Sequence, residues 1–139
     1  MKQCDIMKIS EEEVAFVSEQ ESLEKGVSFI RDNSDIKILF VTLGNKGSIA
    51  YYKDEKIYCR GIHQEHVVDT TGAGDTFCGA VLSRILELGT DALTEKDIRE
   101  MLLFANAAAS IVVTRKGALC SMPEPEEIRA ASSLIDKVL

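Results

Sequence analysis

The spacing of apolar side chains along the chain predicts strands that alternate with helices. Residues 4–9 form a short run of strand length, and residues 36–43 are rich in β-branched and large apolar side chains with little alternation, which is typical of a strand buried on both faces of a sheet. Between them, residues 20–31 carry apolar side chains at helical spacing and end at a polar break. The order strand, helix, strand predicts a βαβ unit.

Two further strand-like runs follow, at residues 48–52 and 56–60. They are preceded by residues 44–47, Gly-Asn-Lys-Gly, and on these residues alone an ordinary hairpin turn is the favoured interpretation. The alternative is a ligand-binding turn at the carboxyl end of a parallel strand, where open α/β sheets bind ligands and glycine lets the backbone approach phosphate. The two interpretations are compatible with each other.

The rest of the chain predicts three helices. The first runs from Thr76 to Gly89, and its apolar face is Phe77, Ala80, Val81, Ile85 and Leu88. Thr94 fits the N-cap of a second helix, and Gly117 fits the residue that follows its end. A last amphipathic helix opens at residues 122–125, and its apolar positions are Ile128, Leu134, Ile135 and Val138.

The turn before the first of these helices carries candidate chemistry. Gly72, Ala73 and Gly74 have almost no side chain, so their successive backbone N–H groups can be directed at one ligand, and we call them the anion cradle. At a helix N-terminus, unpaired N–H groups and the positive end of the helix dipole both favour an anion. Asp75 either is a favourable charge in the first turn or accepts a proton from a hydroxyl while the cradle stabilises a transferring phosphoryl group.

Residues 69–77 read Asp-Thr-Thr-Gly-Ala-Gly-Asp-Thr-Phe and lead into a helix rich in small residues. This stretch resembles the C-terminal signature of the ribokinase-like, or pfkB-type, carbohydrate kinases, and bacterial fructokinases are the most similar in appearance. It matches neither a Walker A loop nor the dinucleotide-binding fingerprint. The resemblance implies an α/β fold, namely the C-terminal part of a ribokinase-like three-layer α/β/α architecture with a mostly parallel sheet and one β-hairpin.

The same resemblance implies an activity, which is transfer of the γ-phosphate of ATP to a sugar hydroxyl. Asp75 would act as the base on that hydroxyl, and Gly72, Ala73 and Gly74 would stabilise the phosphoryl charge. The acceptor implied is fructose, with ribose, ketodeoxygluconate or a nucleoside as alternatives. A function of another class is also open, a nucleotide-binding or assembly module without catalysis of its own.

Further segments resemble the nucleotide site of this family. Residues 8–13 are similar to a Lys-x-Asn-x-x-Glu motif, with Ser10 in place of asparagine. On the residues alone, Ser10 and Glu13 fit a helix capping box, whereas the resemblance implies that Glu13 supports Mg²⁺ through water and that Ser10 contacts the nucleotide. Asn106 is implied as a contact of the base. The ATP-binding residues implied in full are Ser10, Thr42, Leu43, Gly44, Asn45, Lys46, Gly47, Gly74, Asp75 and Asn106.

A monovalent cation, usually potassium, is implied next to the cradle. Asp69 and Thr71 are similar to family positions that bind this ion through a carboxylate and a backbone carbonyl, and hard oxygen ligands suit it. The ion would fix the backbone of the cradle and add positive potential near the transferring phosphate. On the residues alone, Arg115 is equally explained as a solvated charge at a helix C-terminus. The implied ligand set is Asp69, Thr71, Val112, Arg115, Gly117 and Ser121.

Composition narrows the classes of partner. The net charge of −7 argues against a nucleic-acid surface, because no cluster of lysine and arginine is available to neutralise a phosphate strand. No segment approaches the ~18 to 20 apolar residues of a membrane span, and the start at residues 1–5 does not resemble a secretory signal. We therefore expect a cytoplasmic protein whose partners are ATP and a sugar, with neither a nucleic acid nor a membrane among them.

The length of the chain limits the number of domains that it can form. At 139 residues the chain has room for one domain with a sizeable core. Members of the resembled family are more than twice as long, so residues 1–139 are expected to be the C-terminal nucleotide-binding portion, without the N-terminal half that supplies most sugar contacts and the lid. We expect the isolated chain to have little or no kinase activity, and to self-associate or bind that missing half through an exposed apolar surface.

Overall fold

The computed structural model describes residues 4–117 and 119–135, and within them a four-stranded sheet lies between two layers of helices. The strands are β1 (Ile6–Ser10), β2 (Ile38–Thr42), β3 (Gly47–Tyr52) and β4 (Glu55–Arg60). The helices are α1 (Glu11–Ser18), α2 (Leu23–Asp32), α3 (Ala73–Leu88), α4 (Glu95–Val112) and α5 (Pro125–Ile135). Short 3₁₀ turns span Gly44–Lys46 and Leu119–Ser121. The predicted α/β class and three-layer arrangement are confirmed.

The strands are ordered β1-β2-β3-β4 across the sheet. β1 and β2 are parallel and are joined by α1 and α2, which confirms the predicted βαβ unit. The other two pairings are antiparallel, so the described sheet is mixed rather than mostly parallel and has two hairpin links rather than one. The lengths of the links explain this difference, since a parallel connection needs about a dozen residues and the turns that flank β3 are far shorter.

One face of the sheet is covered by α1 and α2. Val14, Val27 and Ile30 from these helices lie in one buried cluster with Leu39 and Val41 of β2. Burial of a side chain of this kind contributes roughly 1.5–3 kcal/mol. Because α1 follows β1 without a loop, this packing also fixes the carboxyl end of β1, where the first candidate nucleotide motif lies.

The other face is covered by α3 and α4. Phe77 of α3 packs against Phe40 of β2, with their ring centroids 6.3 Å apart in an edge-to-face arrangement, and both side chains are buried. Helix α3 begins at Ala73, earlier than the predicted Thr76, so the end of the cradle lies in its first turn. Its predicted apolar face is buried except at Leu88 in the last turn, which is 43% exposed.

Helix α4 ends at Val112, so Gly117 does not directly follow it and that prediction is wrong. The helix end is engaged by another segment, because the N–H groups of Val68 and Asp69 donate to the carbonyl of Val113 at 2.8 and 3.3 Å. Gly117 does have a positive φ of +92°, but it lies in the loop beyond this contact. The segment that leads into the cradle is thereby attached to the end of α4.

Helix α5 begins at Pro125 and packs Ile128 against the core that α3 and α4 form. The further predicted apolar positions, the side chains of Leu134 and Ile135 and the whole of Val138, lie outside the described part of the chain, as do residues 1–3. None of the described helices combines the length and the apolar character that a membrane crossing requires.

Candidate nucleotide and phosphate site

The anion cradle lies where α3 begins. Gly72 caps the helix in a left-handed conformation with φ of +83°, which glycine adopts without steric cost. The Ala73 N–H donates to the Thr70 carbonyl at 3.3 Å, whereas the N–H groups of Gly74 and Asp75 have no hydrogen-bond partner among the described residues. Two donors at the positive end of a 16-residue helix are therefore available to an anion.

Lys8 of β1 reaches the cradle from the sheet. Its Nζ lies 3.0 Å from the position that a Cβ atom on Gly74 would occupy, so the missing side chain leaves room for the amine. Lys8 is half-buried, and it belongs to none of the ion pairs that the described residues form. Sequence reasoning included this lysine in the motif at residues 8–13 but gave it no role. Its place at the head of that motif was the signal available.

Ser10 and Glu13 form the capping box of α1, which confirms that interpretation of the sequence. The Ser10 Oγ accepts from the Glu13 N–H at 3.2 Å, and the Glu13 Oε2 accepts from the Ser10 N–H at 2.7 Å. The hydrogen bond from Ser10, and more weakly the charge of Lys8, lower the pKa of Glu13 and keep it ionised at neutral pH. Its support of Mg²⁺ and the nucleotide contact of Ser10 stay predictions.

A cleft of about 450 Å³ opens beside the cradle, between the turn at Gly44–Lys46 and α4. It brings together segments that are far apart in the sequence. The predicted ATP-binding residues that line it are Thr42, Gly44, Asn45, Gly47, Gly74 and Asn106. The predicted ones that do not line it are Ser10, Leu43, Lys46 and Asp75. The fold therefore assembles most of the predicted set, and the cradle forms one end of the cleft.

Part of the cleft wall comes from residues that sequence reasoning did not select. Ile62, His63, Gln64 and Val67 lie in the irregular segment between β4 and α3, and Ala109 lies on α4. The irregular segment has no apolar period, so nothing in its pattern marks it as a wall. For Ala109 a signal did exist, because the run of small residues after Asn106 leaves space beside the helix.

Glycine fixes the turn between β2 and β3. Gly47 has φ of +116°, and a Cβ atom there would lie 2.1 Å from the carbonyl oxygen of Cys59 and 2.4 Å from the nitrogen of Gly61. The segment is thus a hairpin turn, which confirms that interpretation of the sequence, and it also lines the cleft. Its contact with a nucleotide stays a prediction. The Lys46 amine lies 3.7 Å from the Glu11 carboxylate at the surface, and such a pair contributes little to stability.

Asn106 is buried and lies in an internal hydrogen-bond network. Its Oδ1 accepts from the Ser48 hydroxyl at 2.9 Å, and its Nδ2 donates to the carbonyl groups of Cys59 and Arg60, both at 3.3 Å. A side-chain amide offers two donor hydrogens and two acceptor lone pairs, so among the described contacts one lone pair of Oδ1 has no hydrogen-bond partner. The network attaches α4 to the β3–β4 hairpin. Contact with a base stays a prediction, and the contacts observed are structural.

Asp69 is held by two backbone groups. Its Oδ1 accepts from the Thr71 N–H at 2.9 Å, and its Oδ2 accepts from the Gly117 N–H at 3.4 Å. The hydrogen bonds from Thr71, and next that from Gly117, lower the pKa of Asp69, so it is ionised at neutral pH. These bonds connect the segment before the cradle to the loop after α4.

The other predicted cation ligands lie at or after the end of α4: Val112 is its last residue, Arg115 and Gly117 follow in the loop, and Ser121 ends the next 3₁₀ turn. The Ser121 hydroxyl donates to the Gly117 carbonyl, and the Arg115 guanidinium donates to the Ser121 carbonyl at 3.4 Å and to Glu127 Oε1 at 2.5 Å. The Arg115 N–H donates to the Val112 carbonyl at 3.0 Å. In the described part of the chain, no group of three or more His, Cys, Asp and Glu side chains could hold a metal. One carboxylate with hydroxyl and carbonyl oxygens suits a monovalent cation instead, and its binding stays a prediction.

Asp75 lies in the first turn of α3 with an exposed side chain. It forms neither a hydrogen bond nor an ion pair with a described residue, so its carboxylate is available as a proton acceptor. Asp75 lines a second groove of about 490 Å³ between α3, α4 and α5, whereas Gly74 lines the cleft of about 450 Å³. The start of α3 therefore lies between two cavities.

Known proteins resemble this chain in sequence and in fold. Residues 1–125 match the model of the pfkB family of carbohydrate kinases. The chain belongs to this family. Solved pfkB-type kinases have the same fold. A double mutant of the fructokinase from Vibrio cholerae O395, with fructose, ADP and potassium bound, matches with a TM-score of 0.81 at 32% identity. The ribokinase of Arabidopsis thaliana, solved with ribose and ATP, matches with a TM-score of 0.75 at 33% identity.

Fructokinase-1 of Oryza sativa subsp. japonica is 39% identical to this pfkB-family chain over 129 residues. The match covers 91% of this chain and 39% of the rice protein. The V. cholerae and A. thaliana matches cover 91% and 92% of this chain, and 40% of each of those chains. The chain thus spans about two fifths of the length of the relatives it matches. The predicted family and the ribokinase-like fold are confirmed.

Proposed function

We propose that this chain is the nucleotide-binding portion of an ATP-dependent sugar kinase. The observation that carries the proposal is the pair of N–H groups of Gly74 and Asp75 at the start of α3, which no described residue engages and which lie beside a cleft of about 450 Å³. A cleft of this volume is in the usual range for small ligands and cofactors. Membership of the pfkB carbohydrate kinase family supports the proposal, as do the ADP and ATP bound to the V. cholerae and A. thaliana relatives.

The reaction proposed is transfer of the γ-phosphoryl group of ATP to a sugar. The sugar hydroxyl oxygen attacks the γ-phosphorus, its proton passes to the Asp75 carboxylate, and the bond between that phosphorus and the leaving ADP breaks. The N–H groups of Gly74 and Asp75 donate to the phosphoryl oxygens as negative charge develops. The Ala73 N–H is engaged by the Thr70 carbonyl, so Ala73 holds the turn, whereas Gly72 keeps its proposed part in stabilising the phosphoryl charge. Removal of one such donor costs about 10²–10³ in kcat in other enzymes.

Two cations belong to the proposal. Glu13 would hold Mg²⁺ through water, and its lowered pKa keeps the carboxylate ionised for this role. Mg²⁺ would neutralise charge on the phosphates during transfer. Potassium would add positive potential beside the cradle. Its proposed oxygen ligands belong to Asp69, Thr71, Val112, Arg115, Gly117 and Ser121.

Fructose is the acceptor that we propose, because the rice and V. cholerae relatives are fructokinases and the latter was solved with fructose. Ribose is the alternative, since the A. thaliana ribokinase is similar to nearly the same extent. The chain spans 39% of the length of the rice enzyme, so we infer that most sugar contacts and the water-excluding lid come from protein beyond this chain. The chain alone is then expected to bind nucleotide in the cytoplasm and to turn over little sugar.

A second candidate function, a nucleotide-binding assembly module without catalysis, is favoured by the exposed surface. Phe16 of α1 is 85% exposed and Leu86 of α3 is 88% exposed. β1 is an edge strand whose outer side is unpaired in the described sheet. Open strand edges and exposed apolar side chains are typical of surfaces that bind another polypeptide.

Calorimetric titration with Mg²⁺–ATP, in potassium or in a large inert cation, tests the proposed function. The wild-type chain is expected to bind ATP more tightly in potassium. Asp75→Asn should bind with similar affinity, because its backbone N–H is retained, and Asp35→Asn is the control for loss of an exposed carboxylate elsewhere. The absence of ATP binding in both salts would refute the proposal for this chain.

Turnover separates the two candidates. Fructose- and ribose-dependent ATP consumption is measured for the chain alone and after mixing with the remaining segment of a pfkB kinase. For a sugar kinase, mixing should give turnover that Asp75→Asn lowers by about 10²–10⁴-fold, the usual contribution of a general base. ATP binding without turnover under either condition would favour the assembly module. Robust turnover by the chain alone would contradict the inferred need for further sugar contacts.

A further inference from the structure

We propose that Lys8 is a phosphate-binding residue that completes the cradle from the side of the sheet. The ligand class is the terminal phosphate of a nucleoside triphosphate. This inference rests on the proposed function, because it assigns a further contact to the same site. It goes beyond the cradle and Asp75, which come from the motif at residues 69–77, since Lys8 lies on a different element, the edge strand β1.

The Lys8 amine lies close to the start of α3. The Lys8 Nζ lies 3.0 Å from the position of a Cβ atom on Gly74, so the amine approaches a residue whose N–H has no partner in the described part of the chain. A lysine donates three hydrogens, and an anion between the amine and the start of α3 would accept from both sides. Gly74 thus has two functions, since its N–H is free to donate and its missing side chain admits the amine.

Lys8 also differs from other lysines in its lack of an ion pair with a described carboxylate. Lys37, Lys46 and Lys56, which lie in or beside the described sheet, pair with carboxylates: Lys37 with Asp5 at 3.5 Å, Lys46 with Glu11 at 3.7 Å and Lys56 with Glu24 at 3.6 Å. Lys53, in the turn between β3 and β4, instead lies over the Tyr52 ring. Within residues 4–117 and 119–135, Lys8 has no carboxylate at ion-pair distance, although it is half-buried. Lys8 interacts with the Glu13 carboxylate only from beyond ion-pair distance, so a bound phosphate group would supply the direct charged contact that this half-buried amine lacks among the described residues.

The position of Lys8 predicts which phosphate it contacts. Gly74 lies at the end of the nucleotide cleft, and Lys8 does not line that cleft. A nucleotide whose base and ribose occupy the cleft therefore reaches Lys8 only with the far end of its phosphate chain. Lys8 should discriminate nucleotides by their number of phosphates, which a purely structural lysine would not do.

Calorimetric titration of ATP, ADP and AMP tests this inference on wild type, Lys8→Met and Lys8→Arg. Methionine retains the apolar stem, so its effect reports the amine. We expect Lys8→Met to bind ATP about 10- to 100-fold more weakly, as for loss of a charge-assisted hydrogen bond, and to bind AMP as wild type does. Lys8→Arg should recover part of the loss for ATP. An equal loss for all three nucleotides, or none for any of them, would overturn the assignment.

A pair of glycine substitutions in α3 provides a matched second test. Gly74→Ala would place a Cβ atom 3.0 Å from the Lys8 amine, which would have to shift by a few tenths of an ångström, whereas a Cβ atom at Gly79 meets no atom within 4 Å. Alanine favours the helix at both positions, so neither variant should unfold more readily than wild type. Gly74→Ala should lose ATP affinity while Gly79→Ala retains it, and equal affinities would refute the inference. If wild type binds no nucleotide, the proposed function fails as well. If it binds and Lys8→Met equals it, only the Lys8 assignment fails.

Discussion

Replacing Asn106 by alanine distinguishes a structural amide from a contact of the base. The substitution removes three hydrogen bonds, one with the Ser48 hydroxyl and two with the carbonyl groups of Cys59 and Arg60. At a net contribution of about 1 kcal/mol each, the expected loss in the free energy of unfolding is about 3 kcal/mol. Ser48 is fully buried, so its hydroxyl would lose its partner without gaining water.

Urea denaturation measures this loss, and a double-mutant cycle with Ser48→Ala assigns part of it. The coupling between the two positions should be about 1 kcal/mol, the contribution of the single bond that they share. Asn45→Ala is the matched control, since Asn45 lines the same cleft with an exposed side chain and forms no side-chain hydrogen bond with the described residues. That control should change the free energy of unfolding by no more than about 0.5 kcal/mol.

Titration with ATP on the same variants gives the refuting result. If Asn106→Ala unfolds with a free energy within about 0.5 kcal/mol of wild type but binds ATP more than tenfold less tightly, the network does not stabilise the fold and Asn106 is a ligand contact. We expect the opposite result, in which Asn106→Ala causes a large loss in the free energy of unfolding. Any loss of ATP affinity should then scale with the unfolded fraction.

Three further outcomes are expected. Gly47→Ala should lower the free energy of unfolding by more than about 3 kcal/mol in urea, because a Cβ atom would lie 2.1 Å from the carbonyl oxygen of Cys59; a milder loss would mean that this turn can move. Asp69→Asn should lower the free energy of unfolding at neutral pH, and the difference from wild type should vanish in acid. The hydrogen bonds from Thr71 lower the pKa of Asp69, so the carboxylate stabilises the fold above its usual pKa of about 4, and this stabilisation is lost as the pH falls through the lowered pKa. Phe16→Ser should reduce self-association in sedimentation experiments without loss of stability, and an unchanged association would exclude this surface.

The features that sequence reasoning predicted correctly depend on neighbouring residues. The capping box joins Ser10 to Glu13, which are only three positions apart in the sequence. Thr94 and Asp97 form the same arrangement at the start of α4. The cradle lies at a helix start because Gly72 and its neighbours precede an apolar helical period. In each case the local pattern and the tertiary structure favour the same conformation.

The features that were missed depend on contacts between distant segments. Lys8 and Gly74 belong to different elements, and only the docking of α3 on the sheet brings them together. Gly117 fits a helix end by local rules, but the attachment of residues 68–69 to Val113 ends α4 earlier. The wall at Ile62 likewise has no local signal, since its position is fixed by the segments on either side.

The two short turns that flank β3 also bear on the order in which the molecule assembles. Strands joined by tight turns make contacts that are close in sequence, and such contacts form quickly because little loop entropy is lost. The approach of Lys8 to Gly74 closes a much longer loop, so we expect the hairpins to fold before the phosphate site exists. A nucleotide that binds only the completed site would slow unfolding. It would also increase the protection of backbone amides from hydrogen exchange in β1, in the β2–β3 turn and in α3 together.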